Sequence, residues 1–336
     1  MRLTQRAVTL ITMAITAPAL AATTAAATAS ASPARSTSDA VTACSTVTAT
    51  IPLSPEPSWV AANPKTNTIY VGLQAESVAV ISGRTNSVAA SIPVTFFPFG
   101  VAVNPKTNTI YVTNGDAPGT VSVISGRTST VVATIPVGNF AFGVAVNPKT
   151  NTIYVVNGND NTVSVISGQA NTVVATIPVG LAPGWVAVNP RTNTIYVTNG
   201  ADDTVSVISG QTNTVVATVP VGSQPTQVAV NPKTNTIYVA NGSGDTVSVI
   251  NGQTNTVVAT VPVGFGPIGI GVNPKTNTIY VTNLFDETVS VISGQTNIVV
   301  GTVTVGSDPL GVAVNQKTNS TYVANLASDT VSVLGC

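Results

Sequence analysis

One segment recurs through the chain, and it constrains the fold more than any other feature. Asn-Pro-Lys-Thr-Asn-Thr-Ile-Tyr-Val, or a close variant, begins at Asn63, Asn104, Asn147, Asn189, Asn231, Asn273 and Asn315. The spacings are 41, 43, 42, 42, 42 and 42 residues. A fixed period of this length marks a repeat architecture. Each copy holds four short runs rich in Val, Ile, Thr and Tyr. In the fifth copy they cover 227–231, 236–240, 246–250 and 256–262. They alternate with period two and are bounded by Gly, Pro, Asn or Asp, as strands are. The connections, such as Pro-Lys-Thr-Asn and Gly-Gln-Thr-Asn, are short and made of turn formers. Four antiparallel strands per 42 residues predict one blade of a β-propeller. A lone 42-residue unit could not bury both faces of its sheet. The expected fold is therefore all-β, with seven four-stranded antiparallel blades over residues 44–336.

Ring closure is also written in the sequence. The last copy has only three strands. The missing fourth matches Thr46-Val-Thr-Ala-Thr-Ile-Pro52, which precedes the first full copy. The N-terminal strand should complete the C-terminal blade. In that alignment Cys336 takes the place of Gly210 and Cys44 that of Thr212, two residues apart across a hairpin. Such positions fall within disulfide reach, so a Cys44–Cys336 bond is expected. It would close nearly the whole chain.

Residues 1–31 carry an export signature. Arg2 and Arg6 precede a mostly apolar stretch over 7–20, with small-residue cleavage sites after Ala21 or Ala31. The stretch is too short to anchor the chain in a membrane. Residues 32–43, rich in Ala, Ser and Thr, are expected to be a disordered spacer. The mature product is expected to be secreted or associated with the cell wall. An exported protein can hold the disulfide.

Composition narrows the function. Only 7% of residues are charged, 12 basic against 12 acidic. That balance disfavours binding by neutralisation of phosphates. There is no histidine, which removes Ser–His and Cys–His catalysis and His-ligated zinc. No dinucleotide or phosphate-loop motif and no metal-spaced cysteine pair is present, so no cofactor, metal site or catalytic residue is assigned.

The two ends of the propeller differ. First-to-second and third-to-fourth strand turns share the bottom face. Second-to-third loops and the links between blades share the top. The bottom turns barely vary and carry Lys65, Lys106, Lys149, Arg191, Lys233, Lys275 and Lys317. The top loops carry Glu76, Asp116, Asp160, Asp202, Asp203, Asp245, Asp286, Glu287 and Asp329. The simplest reading is that the lysines solvate turns and each Asp orders its hairpin by bonding nearby N–H groups. All seven Tyr fall on second strands and read as core. Every Phe and Trp falls on the top connections or at the start of an inner strand. Trp59, Phe96, Phe97, Phe99, Phe140, Phe142, Trp185 and Phe265, with Gln224, Gln227 and Asp308, are the candidate ligand-binding residues of the top face and channel mouth. Exposed aromatics on a rigid scaffold often mark binding.

The second strands carry a recognisable motif. Tyr111-Val-Thr-Asn114 recurs as Tyr196–Asn199 and Tyr280–Asn283. Val or Ala replaces Thr in Tyr154–Asn157, Tyr238–Asn241 and Tyr322–Asn325. The first copy, Tyr70-Val-Gly-Leu73, lacks the Asn. Over residues 44–336 the chain resembles the YVTN (YncE-like) seven-bladed propellers of bacterial periplasmic, secreted and archaeal surface-layer proteins. The resemblance implies fold more than function. Related propellers include lactonase-like hydrolases, lyases with a catalytic histidine that this chain lacks, and a periplasmic member linked to single-stranded DNA. The sequence favours a non-enzymatic binding or scaffold propeller. Its expected partner is a protein, glycan or small molecule, and the chain is expected to be monomeric. The alternatives are a lactonase-like hydrolase or a single-stranded nucleic-acid binder.

Overall fold

The computed structural model describes residues 46–335. The export segment and spacer expected before them, Cys44 and Cys336 lie outside the described residues. Seven four-stranded antiparallel sheets follow one another around a ring. Blades 1 to 6 cover 57–93, 98–136, 141–178, 183–220, 225–262 and 267–304. Blade 7 takes three strands from 309–335 and its fourth, Thr46–Pro52, from the other end of the chain. Thr46 stands opposite Gly335 and Pro52 opposite Thr330, so the ring closes as the repeat alignment requires. No helix among the described residues is long and apolar enough to cross a membrane.

Strand composition follows radial position. The second and third strands, such as Thr194–Asn199 and Thr204–Ser209, are buried on both faces. They read as runs of Ile, Tyr and Val because each is sandwiched between two neighbouring blades. The fourth strands are mostly exposed and mix Thr with Val. Each has a bulge against the third strand, as between Val207 and Ile208. Each ends in Pro except that of blade 6, which ends in Thr304. Bulge and proline both discourage pairing with another sheet.

The apolar core lies between blades rather than inside them. Seven buried clusters fill the seven interfaces. One joins Tyr111, Val123 and Ile135 of blade 2 to Val144, Ile153 and Ile166 of blade 3. The cluster at the closure joins Ile51 and Tyr322 of blade 7 to Ile69 and Ile81 of blade 1. All seven Tyr are fully buried or nearly so. Each blade thus depends on its neighbours, as repeat stacking requires.

The bottom turns are invariant for a physical reason. The first Asn of each Asn-Pro-Lys-Thr-Asn turn accepts a bond from the Lys or Arg backbone N–H, as Asn147 Oδ1 does from Lys149 at 3.0 Å. Its Nδ2 donates to the second Asn of the next blade's turn. The series runs Asn63 to Asn108 (2.8 Å), Asn104 to Asn151 (2.7 Å), Asn147 to Asn193 (2.7 Å) and Asn189 to Asn235 (2.6 Å). It continues Asn231 to Asn277 (2.6 Å), Asn273 to Asn319, and Asn315 back to Asn67 (2.5 Å). Seven Asn–Asn hydrogen bonds between fourteen side-chain amides thus join every bottom turn to the next around the ring. The accepting Asn also holds a left-handed backbone, with φ of 61° at Asn67 and 57° at Asn151. Asn tolerates that conformation better than most residues.

Candidate functional site: the top face and the channel mouth

The motif Asn anchors the top of each blade. Asn199 Nδ2 donates to Thr204 Oγ1 and Ser206 Oγ, both at 2.9 Å, and five other blades repeat the pair of bonds. Blade 1 drops this arrangement altogether. Leu73 replaces Asn and Ala79 replaces Ser, and both join the apolar cluster at the ring closure. The motif Thr has a different task. Thr113, Thr198 and Thr282 each bridge to a carbonyl of the next blade's inner strand, Phe142, Thr226 and Leu310. Where the second strand lacks Thr, Ser58 and Thr226 supply the hydroxyl from the inner strand of blades 1 and 5.

The sequence suggested that each top Asp bonds its own hairpin; six of them instead hold the links between blades. Asp202 Oδ2 accepts from Leu181 N (2.7 Å), Asp286 Oδ2 from Phe265 N (2.8 Å) and Asp160 Oδ2 from Asn139 N (2.7 Å). Asp203, Asp245 and Asp329 reach forward to Gln224, Gly266 and Glu56 of the following link. Most of these links turn through a residue with positive φ, including Phe96, Phe140 and Gln224. The carboxylates replace the strand partners that such a turn removes. The side-chain and backbone bonds from Asn139 lower the Asp160 pKa. Burial, with Glu76 beside Asp116 and Glu287 beside Asp308, raises those two aspartates.

The predicted aromatics separate into three groups. Phe99, Phe140 and Phe142 form one cluster across blades 2 and 3. Phe99 meets Phe142 edge-on at 4.9 Å between centroids, and Phe140 lies 5.3 Å from Phe142. Glycine makes room for the rings. A Cβ at Gly115 would sit 2.1 Å from Phe99, and one at Gly158 would sit 2.8 Å from Phe142. Phe97 is half-buried beside this cluster, and Phe96 is 54% exposed. In the second group Phe265 pairs with Phe285 at 4.9 Å on blade 6, with 56% and 47% of their surfaces exposed. The third group is the two tryptophans. Trp59 and Trp185 come from the inner strands of blades 1 and 4, yet their rings meet at 4.0 Å across the channel. Trp59 is only 6% exposed. These two rings plug the channel rather than stand on the open face.

The polar candidates are largely engaged in structure. Gln227 Oε1 accepts from Ile270 N at 2.6 Å, tying blade 5 to blade 6. Gln224 Oε1 accepts from Ser243 Oγ at 2.5 Å. Asp308 is half-buried in the last link. On the top connections two exposed apolar residues escaped the candidate set, Phe285 and Leu181. Position alone could have found Leu181, because its place in the link matches that of Phe265.

A cavity of about 520 Å³ opens beside Phe265, between Pro262, Val263, Asn283, Asp286, Val299 and Thr302. Asn283 Oδ1 is buried there without a protein partner. The same atom is unpartnered in Asn114, Asn199, Asn241 and Asn325, so it is a property of the repeat and not of one pocket. Among the described residues no group of three or more Asp, Glu or Cys side chains converges to hold a metal.

The comparisons agree with this anatomy. The model of the YNCE-like β-propeller family matches residues 184–277. No curated protein matches the chain significantly. A chain of the Kuenenia stuttgartiensis hydrazine synthase is similar in structure, with a TM-score of 0.77. It shares 21% identity, over 84% of this chain and 96% of that one, a likeness of fold. In all, 1823 solved chains match it significantly, a breadth that separates this fold from any one chemistry. With seven like blades, a YVTN motif or its variant on six second strands and the family match across blades 4 to 6, the chain is a YVTN/YncE-like seven-bladed β-propeller.

Proposed function

We propose that this protein is an exported, non-catalytic binding propeller that meets its partner through the top face. One observation carries the reading. The exposed aromatic side chains gather on the top connections, while the bottom face is committed to a closed ring of amides. The Phe99–Phe140–Phe142 cluster, flanked by Phe96, presents apolar rings on links held rigidly by carboxylate bonds, as binding surfaces commonly do. The export signature of residues 1–31 supports action outside the cytoplasm, and the disulfide expected between Cys44 and Cys336 suits that setting.

Nucleic-acid binding fits less well. A single-strand binder needs cations and stacking rings in one groove. Here the rings lie at the top and every described Lys and Arg lies at the bottom.

The test is substitution of Phe96→Ser together with Phe140→Ser. Partners captured from culture medium or on a glycan array by the wild-type chain should be lost, while the variant stays folded and melts cooperatively. Retention of every partner by a folded double variant refutes the assignment of this face.

A further inference from the structure

Charge is sorted between the two faces without exception among the described residues. All nine Lys and Arg side chains of residues 46–335 stand on bottom turns, and all eleven Asp and Glu stand on top loops or links. The Lys positions add Arg84 and Arg127 to the seven first-turn cations, and the acids add Glu56 and Asp308. Opposite faces cannot neutralise each other within one molecule.

The side chains of Arg191 and Lys275 donate to carbonyls of the next blade's turn, but the fold gives no such role to the charge of the other bottom cations. Lys65 and Lys149 give the ring only a backbone N–H, which any residue except proline could supply. On the top, Asp160, Asp202 and Asp286 are pinned by link N–H groups, so their negative ends are fixed in space. Both sets recur with the 42-residue period. They form two rings of opposite sign about one axis, in the same sevenfold order.

We infer that the protein associates head to tail with a second copy of itself, the basic bottom of one molecule seated on the acidic top of the next. This rests on the top face being a binding surface, and it names the partner. Each face repels its own kind and attracts the other, so the contact is heterologous rather than twofold. A heterologous contact along the axis does not close, and the product is an open stack. Exposed Phe96, Phe265 and Phe285 stand among the top acids, and lysines can lie on such rings. A polyanion would engage the bottom ring alone, whereas a second copy engages both charged faces. Each exposed ion pair is weak alone. The stack is therefore reversible and sensitive to salt, and it replaces the monomer expected from sequence.

The test uses the full chain in sedimentation velocity over a range of concentrations. The weight-average sedimentation coefficient should rise with concentration at low salt. The apparent dissociation constant should weaken at least about tenfold between about 20 mM and about 500 mM NaCl, where the Debye length shrinks several-fold. Two variants fix the geometry. One carries Lys65→Glu, Lys149→Glu and Lys233→Glu at the bottom. The other carries Glu76→Lys, Asp116→Lys and Glu287→Lys at the top. Each alone should self-associate much more weakly than the wild type. Mixed, they should pair more tightly than either does alone, because one intact bottom can still meet one intact top.

A wild-type chain that stays monomeric at low salt overturns the stack, and so does association indifferent to salt. A mixture that fails to pair overturns it too. Binding of polyphosphate without self-association would assign the basic face to a polyanion instead. If the wild type is monomeric while Phe96→Ser with Phe140→Ser still loses another partner, stacking falls and the top-face reading stands. If stacking holds and the Phe variant loses nothing else, the aromatic reading falls alone.

Discussion

The circle of amides on the bottom face makes a quantitative prediction. Asn147→Ala removes one of its members. Asn147 is fully buried, and the change deletes the bond to Asn193 Oδ1 and the bond from Lys149 N–H. Each hydrogen bond contributes about 1 kcal/mol net, and a buried group left without a partner costs about 1–3 kcal/mol. Lys149 is exposed, so water can reach its N–H, whereas Asn193 is half-buried. The sum is a loss of about 2–4 kcal/mol. Asn315→Ala breaks the circle where blade 7 meets blade 1. It should cost a similar amount, since the closing link has the same geometry as the rest. Thr150→Ala, exposed in the same turn as Asn147, should change stability by no more than about 0.5 kcal/mol. Urea unfolding followed by tryptophan fluorescence measures all three. If Asn147→Ala behaves like Thr150→Ala, the amide circle does not hold the blades, and the repetition of the turn needs another cause.

Three further outcomes follow from the same geometry. Trp59→Ala should remove the ring packed against Trp185 and cost about 3–5 kcal/mol. The emission of Trp185 should shift to the red and become open to acrylamide, and unchanged quenching would contradict a plugged channel. Burial pushes the Tyr196 and Tyr238 hydroxyls up to about 12 from an ordinary 10. The unfolded chain gives up these protons first, so stability should be full below pH 10 and decline toward pH 12. A phenolate absorbance titration with a midpoint near 10 for every tyrosine would show that they are not sealed between blades. Cys44 and Cys336 flank the paired residues Thr46 and Gly335. The intact mass should rise by two hydrogens on reduction. Replacing both by Ser should lower stability by up to about 4–5 kcal/mol in the chain-entropy model. Two titratable thiols in the purified native chain would exclude the bond.

Much of the architecture was legible because each blade repeats the same local instructions. In the fifth blade the strands expected at 227–231 and 236–240 are observed as Pro225–Asn231 and Thr236–Asn241. The strand ends differ by one or two residues, since they depend on the bonds that link residues find. The role of Asn in the bottom turn was hidden, because its partner lies one blade away, 46 residues further along for Asn147. The top acids misled for the same reason. Asp203 bonds Gln224, 21 residues on, and no turn signature announces such a partner.

The sequence by itself determined the number of blades, the direction of the strands and the way the ends meet. Those follow from a period, an alternation and one displaced strand, all properties of neighbouring residues. Only the tertiary structure decided that Trp59 and Trp185, 126 positions apart in the chain, face each other across the axis. It alone showed that seven bonds between asparagine amides run around the ring and that carboxylates pin the links. Contacts between blades depend on how each sheet is turned against the next, and a local pattern of side chains does not encode that angle.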